Sequence, residues 1–260
     1  MKVKKFIDRQ IRKIRKEVGD EKAVVACSGG VDSVTCTILG QKVLGDSLVA
    51  VFIDDGLMRE GEPEEVTKLL RKFGVRTRLI RAQKRFFQAL KGIEEPEKKR
   101  RAFREVFYQV LGEAVRKAKA NFLIQGTIKV DIIESKRKIK TQHNVLEQVG
   151  INPKKYGLAI IEPLKDLYKT EVRKVARGLN LPKGIYERMA FPGPGLTLRV
   201  IGEVTPKRVA LVRRADKIIK EEIMLLRKDP GHPYQAFAVL LKDKATGVTK
   251  EGVERGKRVF

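Results

Sequence analysis

The string Ser28-Gly29-Gly30-Val31-Asp32-Ser33 constrains this chain more than any other stretch. It follows the apolar run Ala23-Val24-Val25-Ala26-Cys27, which suits a buried strand, and it opens a helical pattern that runs to about Leu44. Glycines at the end of a strand let the backbone turn tightly and bring its N–H groups close to an anion. The start of the following helix adds a positive partial charge at the same place. Ser28 and Ser33 contribute hydroxyls. The nucleotide-hydrolase loop, Gly-x-x-x-x-Gly-Lys-Ser/Thr, is absent. The carboxylate of Asp32 would repel a bare phosphate, so the string makes chemical sense if Asp32 holds Mg²⁺ that bridges to phosphate oxygens. A glycine turn with Asp and Ser capping a helix would account for any two of these residues. It does not account for the whole string directly after a strand.

The rest of the chain repeats the strand–helix alternation. Residues 2–18 form an amphipathic helical pattern with Phe6, Ile7, Ile11, Ile14 and Val18 on one face. Further buried strands are expected at 48–53, 76–80 and 121–125, with helices at 64–73, 83–91 and 97–119 between them. A short strand at 158–161 and a helix at 170–179 follow. This order predicts an α/β fold with a doubly wound parallel sheet. Residues 136–155 are basic and poor in large apolar side chains, and are read as a mobile lid. Pro182 and Gly184 mark the expected boundary between a domain at 1–183 and a small α+β lobe at 184–260. In that lobe a strand-like 196–204, a helix at 206–227 and a strand at 236–241 are expected, with a poorly anchored basic end at 252–260.

Several segments together resemble a known family. The loop at 28–33 resembles the pyrophosphate loop of the ATP pyrophosphatases, which share the adenine nucleotide alpha hydrolase-like fold. Those enzymes split ATP between the α and β phosphates, adenylylate a carbonyl oxygen, and let a nitrogen or sulfur nucleophile displace AMP. Within that superfamily, Phe52-Ile53-Asp54-Asp55-Gly56-Leu57-Met58-Arg59 resembles the second-strand motif of the GMP synthetases. Gln125-Gly126-Thr127-Ile128 with Asp131-Ile132-Ile133-Glu134-Ser135 is similar to their fourth-strand motif. Ile139-Lys140-Thr141-Gln142-His143-Asn144-Val145 resembles their lid, although Gln142-His143 stands where that family has a His pair. Glu162-Pro163-Leu164-Lys165-Asp166-Leu167 and Glu171-Val172-Arg173 continue the likeness. Phe191-Pro192-Gly193-Pro194-Gly195-Leu196, with Arg199-Val200 and Gly202-Glu203-Val204, is its most discriminating piece. The likeness covers about residues 1–241 and is to the ATP-pyrophosphatase subunit of the two-subunit, archaeal type.

The resemblance implies roles for individual residues. Ser28, Gly29, Gly30, Val31, Asp32 and Ser33 would bind pyrophosphate, with Asp32 at Mg²⁺. Val51, Ile53, Gly126 and Thr127 would frame the ATP, and Arg59 would reach a phosphate. Lys140 would enter from the lid to neutralise phosphate charge in the transition state. Asp131 and Glu134, three residues apart on one helix face, would hold metal or meet ammonia; a helix-dipole role in the first turn explains them equally well. Pro192 and Gly193 would contact the purine and Arg199 the nucleotide phosphate. His143 could be a lid residue near the substrate, although a lone His is more often neither catalyst nor ligand. His232 sits in a Pro-Gly-His-Pro turn, and Cys27 and Cys36 read as core. The Lys-Pro-Pro-Ala-Thr-Ile-Glu stretch that helps these enzymes bind XMP does not occur in the 260 residues, so the second lobe is read as shortened.

Composition bounds the partners. Lys and Arg number 57 against 32 Asp and Glu, a net charge of +25, which favours polyanions over neutral ligands. No apolar stretch approaches the ~20 residues that cross a bilayer. The start of the sequence has no apolar core of a signal peptide. With two cysteines, no disulfide scaffold is expected, and the expected compartment is the cytoplasm. The function expected from the resemblance is ATP-dependent adenylylation of XMP and its amination to GMP. Ammonia would come from a glutamine amidotransferase subunit. A tRNA base or another purine is the alternative substrate that the charge suggests, and a homodimer is the expected assembly if there is one.

Overall fold

The computed structural model describes residues 2–136, 158–191, 193–225, 235–249 and 252–258. The lid at 136–155 therefore lies, apart from the helix end at Lys136, outside the described residues. So do Lys140, His143, Pro192 and His232.

Five strands form one sheet: β1 (Ala23–Ala26), β2 (Leu48–Asp54), β3 (Thr77–Arg81), β4 (Phe122–Ile124) and β5 (Ala159–Ile161). Their spatial order is β3-β2-β1-β4-β5, and β1 runs parallel to both β2 and β4. The chain thus winds outward from β1 through β2 to β3, then returns to the other side of β1 to lay down β4 and β5. Right-handed crossovers send the helices of the two halves to opposite faces, which leaves a crevice at the carboxyl ends where the winding reverses. That switch point lies between β1 and β4. Strand β2 is buried along all of its length, as a central parallel strand between two layers must be.

The chain divides into two units. The first comprises Met1–Ile53, Pro63–Ile80 and Tyr108–Arg188 and holds nearly all of the sheet. In it, α1 (Val3–Val18) buries Phe6, Gln10, Ile14 and Val18 and exposes its basic face. Helix α2 (Val31–Leu44) is buried on most of its surface and packs on β1, β4 and α1. Its Gly40 makes close packing possible: a Cβ there would lie 3.0 Å from Ile124 Cδ1 and 3.1 Å from Leu48 Cδ2. Helices α3 (Glu62–Lys72), α6 (Lys129–Lys136), α7 (Lys169–Gly178) and α8 (Lys183–Tyr186) complete the unit, with the second half of α5 (Pro96–Ala118).

The second unit comprises Asp54–Glu62, Arg81–Phe107 and Met189–Phe260. It contains α4 (Gln83–Leu90), the first half of α5, and α9 (Pro206–Leu225). The rings of Phe86 and Phe103 meet with centroids 4.9 Å apart. Here the sequence expectations need correction. Residues 196–204 are not a strand: Gly195–Arg199 is a short 3₁₀ turn, followed by a lone bridge between Val200 and Leu240. The same bridge is all that remains of the strand expected at 236–241. The reason is visible in the hydrogen bonding. The bridge consists of Leu240 N–H donating to Arg199 O (2.8 Å) and Ile201 N–H donating to Leu240 O (2.9 Å). On the other edge buried Lys99 donates from Nζ to the carbonyls of Val200 (2.8 Å) and Gly202 (2.6 Å), and before the bridge Gly195 turns the chain with φ 63°. At the basic end, β6 (Lys244–Thr249) and β7 (Gly252–Arg258) pair antiparallel in a two-stranded sheet of their own.

Gly40 offers a test of the packing between α2 and the sheet. Gly40→Ala should be close to neutral, because a helix-propensity gain of about 1 kcal/mol is offset by crowding against Ile124 and Leu48. Gly40→Leu should cost about 1–3 kcal/mol, read as a lower urea midpoint at unchanged slope. A Leu variant as stable as the parent would show that this layer is not close-packed.

Candidate nucleotide site

The loop at 28–33 leaves the carboxyl end of β1, beside the switch point, and runs into the first turn of α2. Gly29 takes φ 79°, a left-handed conformation that suits glycine alone. The two serines knit the loop to itself. Ser28 N–H donates to Ser33 Oγ (3.1 Å), the two hydroxyls lie 3.2 Å apart, and Ser33 Oγ donates to the Gly30 carbonyl (3.0 Å). Ser33 is therefore a brace that shapes the loop, while Ser28 stays exposed. Burial pushes the thiols of Cys27 and Cys36 up from their ordinary range, and both pack in the core.

Gly126 decides how close β4 approaches this loop. A Cβ on Gly126 would sit 3.0 Å from Ser33 N and 3.1 Å from Asp32 C, both backbone atoms that cannot swing aside. Its neighbour Thr127 is fully buried, and its Oγ1 has no hydrogen-bond partner among the described residues. Val51 and Ile53 are buried in β2 (1% and 3% exposed), so any part they take in framing a nucleotide falls to their backbone. Asp131 sits in the first turn of α6, and its Oδ2 accepts the Ile128 N–H at 2.9 Å, a local brace at a helix start.

Asp32 has the partner that no motif pointed to. Lys169 Nζ lies 2.5 Å from Asp32 Oδ2. Asp32 Oδ1 is buried and has no hydrogen-bond partner among the described residues. One free carboxylate oxygen beside a phosphate loop fits Mg²⁺ that takes its other ligands from phosphate and water. Among the described residues no group of three or more His, Cys, Asp and Glu is placed to hold a metal by protein ligands alone. Lys169 is the first residue of α7, where a cation gains nothing from the helix dipole. That misfit was the one trace of its role in the sequence. Glu171 caps the same turn by accepting the Tyr168 N–H at 3.0 Å.

The second unit holds a separate cluster. Arg59 (7% exposed) and Arg199 (6%) share the buried carboxylate of Asp216, at 3.6 Å from Arg59 Nε and 2.6 Å from Arg199 Nη1. Both guanidinium groups lie 4.4 Å from the centroid of the Phe191 ring, and Arg199 also covers Phe237. Their charges, expected at phosphates, have a protein counter-ion in this structure. Gly195 comes so close to Leu57 that a Cβ would meet its carbonyl oxygen at 2.5 Å, and Leu196 N–H donates to that oxygen (2.8 Å). The segment at 194–196 is thereby tied to the loop at the end of β2. In that loop burial pushes the Asp55 carboxyl up to about 7, despite a 2.7 Å hydrogen bond from Leu57 N–H. Asp54 and Glu62 nearby raise it further.

Comparison with known proteins follows the same lines. The NAD synthase family matches residues 2–197. A subunit of the glutamine-hydrolyzing GMP synthase of Pyrococcus furiosus is 53% identical over 245 residues, covering 94% of this chain and 76% of that protein. The subunit of the same name from Methanopyrus kandleri is 49% identical over 255 residues, covering 97% and 79%. Among solved structures, an NH3-dependent NAD synthetase from Campylobacter jejuni, in complex with nitrate ion, aligns with a TM-score of 0.57 at 18% identity. The alignment covers 88% of this chain and 89% of that one. At that identity the likeness speaks for the fold. Among the described residues no helix is long and apolar enough to cross a membrane.

Two outcomes test the geometry. Gly126→Ala should displace the loop at Asp32–Ser33 and weaken Mg-ATP binding by about tenfold or more, with a smaller loss of stability; calorimetric titration beside a thermal melt separates the two. For Asp55, the folded protein keeps the proton up to about pH 7, whereas the unfolded chain releases it near 3.8. The native state binds more protons across that window, so the stability tied to this group falls as pH rises through it. Asp55→Asn keeps an oxygen for Leu57 N–H and should flatten that fall, which urea midpoints on either side of the window will show.

Proposed function

We infer that this chain, which belongs to the family of these GMP synthase subunits, catalyses the ATP-dependent amination of XMP to GMP. It is a ligase of the ATP-pyrophosphatase class that forms a C–N bond. The observation that carries this is an intact pyrophosphate loop whose half-buried Asp32 has one buried oxygen without a hydrogen-bond partner among the described residues, in a chain about half identical to those subunits over nearly its whole length. In the reaction the 2-oxo oxygen of the purine attacks the α-phosphorus, and the bond to the bridging oxygen breaks to release pyrophosphate. Ammonia then adds at the purine C2, and AMP leaves with the former oxo oxygen.

The residues divide this work. Backbone N–H groups of residues 29–31, at the start of α2, would receive the departing pyrophosphate, where the helix dipole favours the growing negative charge. The hydroxyl of Ser28 is exposed to add a donor, and Ser33 holds the loop in shape. Asp32 would hold Mg²⁺ through Oδ1, and the bound ion supplies charge neutralisation at phosphate oxygens. Lys169 keeps the carboxylate charge balanced and offers a second cation at the loop. Gly126 and Thr127, with the backbone of Val51 and Ile53, would border the adenosine. Lys140, Asp131, Pro192, Gly193 and the phosphate contact of Arg199 enter on the family resemblance alone.

A glutamine amidotransferase subunit as the source of ammonia goes with the glutamine hydrolysis in the name that the relatives carry, and a cytoplasmic location goes with the same reading. The tRNA-base alternative is not favoured, because the similarity to the GMP synthase subunits extends through the purine motif. Incubation of the chain with Mg-ATP, XMP and ammonium should give GMP, AMP and pyrophosphate in equal amounts, and tRNA in place of XMP should give none. Pyrophosphate release that ignores XMP would sink the assignment. Asp32→Asn should slow pyrophosphate release by about 10²-fold or more, the scale of a lost charge contact in the transition state, while leaving the melting temperature nearly unchanged. A variant with the parent's rate at saturating Mg²⁺ would remove Asp32 from the chemistry.

A further inference from the structure

The motif Glu171-Val172-Arg173 and the residue just before the second unit, Arg188, have no part in the reaction so far. The structure connects them to the loop. Arg188, half-buried, donates from Nη1 to the carbonyl oxygen of Gly29 at 3.0 Å. Arg173 Nη2 donates in turn to the carbonyl oxygen of Arg188 at 3.3 Å. Arg173 lies four residues after Lys169 on α7, so both project from one face of that helix. One helix face thus reaches the loop twice: Lys169 directly at the Asp32 carboxylate, and Arg173 through the backbone of Arg188.

The Gly29 carbonyl is a telling atom to hold. A trans peptide is planar, so its C=O and the following N–H point in opposite directions. Capturing the Gly29 oxygen on one side therefore aims the Gly30 N–H to the other. That peptide turns about ψ of Gly29 and φ of Gly30, and both residues are glycines with no Cβ to restrict those torsions. Nothing in its own covalent structure keeps that peptide from turning over. A peptide flip would point a carbonyl oxygen, rather than an N–H, at an incoming polyphosphate.

We propose that Arg188 is a positioning residue that locks the Gly29–Gly30 peptide in its anion-binding orientation, and that Arg173 holds Arg188 in place. It acts on ATP and pyrophosphate affinity through the loop, before any chemistry, and it needs a hydrogen-bond donor more than a charge. The inference rests on the proposed reaction only for the turnover measurement below.

Three variants, Arg188→Met, Arg188→Lys and Arg173→Met, and the double Met variant decide it. Each is titrated with Mg-pyrophosphate by calorimetry, assayed for ATP KM and kcat in XMP amination, and melted. Arg188→Met should weaken Mg-pyrophosphate binding and raise the ATP KM by about tenfold, with kcat within about threefold and the melt little changed. Arg188→Lys, which keeps a donor, should recover most of that loss. Arg173→Met should lose about threefold, and the double variant should be no worse than Arg188→Met alone, because both act through one contact.

Unchanged pyrophosphate affinity in Arg188→Met overturns the proposal. So does a collapse of kcat at constant KM, which would make Arg188 a transition-state contact. Fold-losses that multiply in the double variant would separate Arg173 from Arg188. A lowered melting temperature with normal pyrophosphate binding would reduce the pair to a structural brace. If Arg188→Met fails to fold, folded Arg173→Met with the parent's pyrophosphate affinity still refutes the relay. A parent chain that binds Mg-pyrophosphate but makes no GMP would contradict the proposed reaction and leave the binding comparison intact.

Discussion

At the carboxyl end of β1 the chain must pass from an apolar strand into a helix whose second residue is Asp32, and β4 must pass directly beside that turn. Backbone approaches backbone here, with Gly126 against Asp32 and Ser33, because no side chain at position 126 intervenes. The sheet order places β4 next to β1, so this contact is made where the winding reverses. Everything at the site is arranged around it. The loop's own serines close on each other, Lys169 and Arg188 reach in from later chain, and Asp32 keeps one oxygen free.

The electrostatics of the site follow from that crowding. A carboxylate at the start of a helix is favoured by the dipole, and Lys169 at 2.5 Å balances its remaining charge. At 23% and 34% side-chain exposure the pair is partly screened by water, so its weight lies less in stability than in orientation. The cluster in the second unit works differently. Arg59, Arg199 and Asp216 are buried within a few per cent exposure, and the rings of Phe191 and Phe237 cover the guanidinium groups. Burial disfavours the charged form of Arg199, and Asp216 opposes that cost. Removing Asp216 would leave two buried cations without it, the costly half of breaking any buried ion pair.

Much of the fold could be read in the sequence because it is encoded locally. Period-two and continuous apolar runs located all five strands of the sheet within a residue or two, and the helices at 83–90 and 96–118 were equally legible. The failures lie in the second unit. Leu196, Leu198 and Val200 alternate as a strand would, yet Gly195–Arg199 is a 3₁₀ turn. What overrode the pattern was the left-handed turn at Gly195 and the bond from Leu196 N–H to the carbonyl of Leu57, a residue far back in the chain. The strands at 244–249 and 252–258 gave no apolar signal because a two-stranded ribbon needs no apolar face to be hydrogen-bonded.

The site divides along the same line. By itself the sequence determined the pyrophosphate loop, since cradling an anion needs contiguous backbone N–H groups and the residues that allow the turn follow one another in the chain. It determined the parallel sheet, and the family, for the same reason: motifs are short and local. Only the tertiary structure decided which cation meets Asp32, which guanidinium holds the Gly29 carbonyl, and which carboxylate receives Arg59 and Arg199. Those partners are 137, 159 and, for Arg199, 17 residues apart. A basic chain offers 57 Lys and Arg for such places. Charge alone does not choose among them; the winding of the sheet does, by bringing one face of α7 to the end of β1.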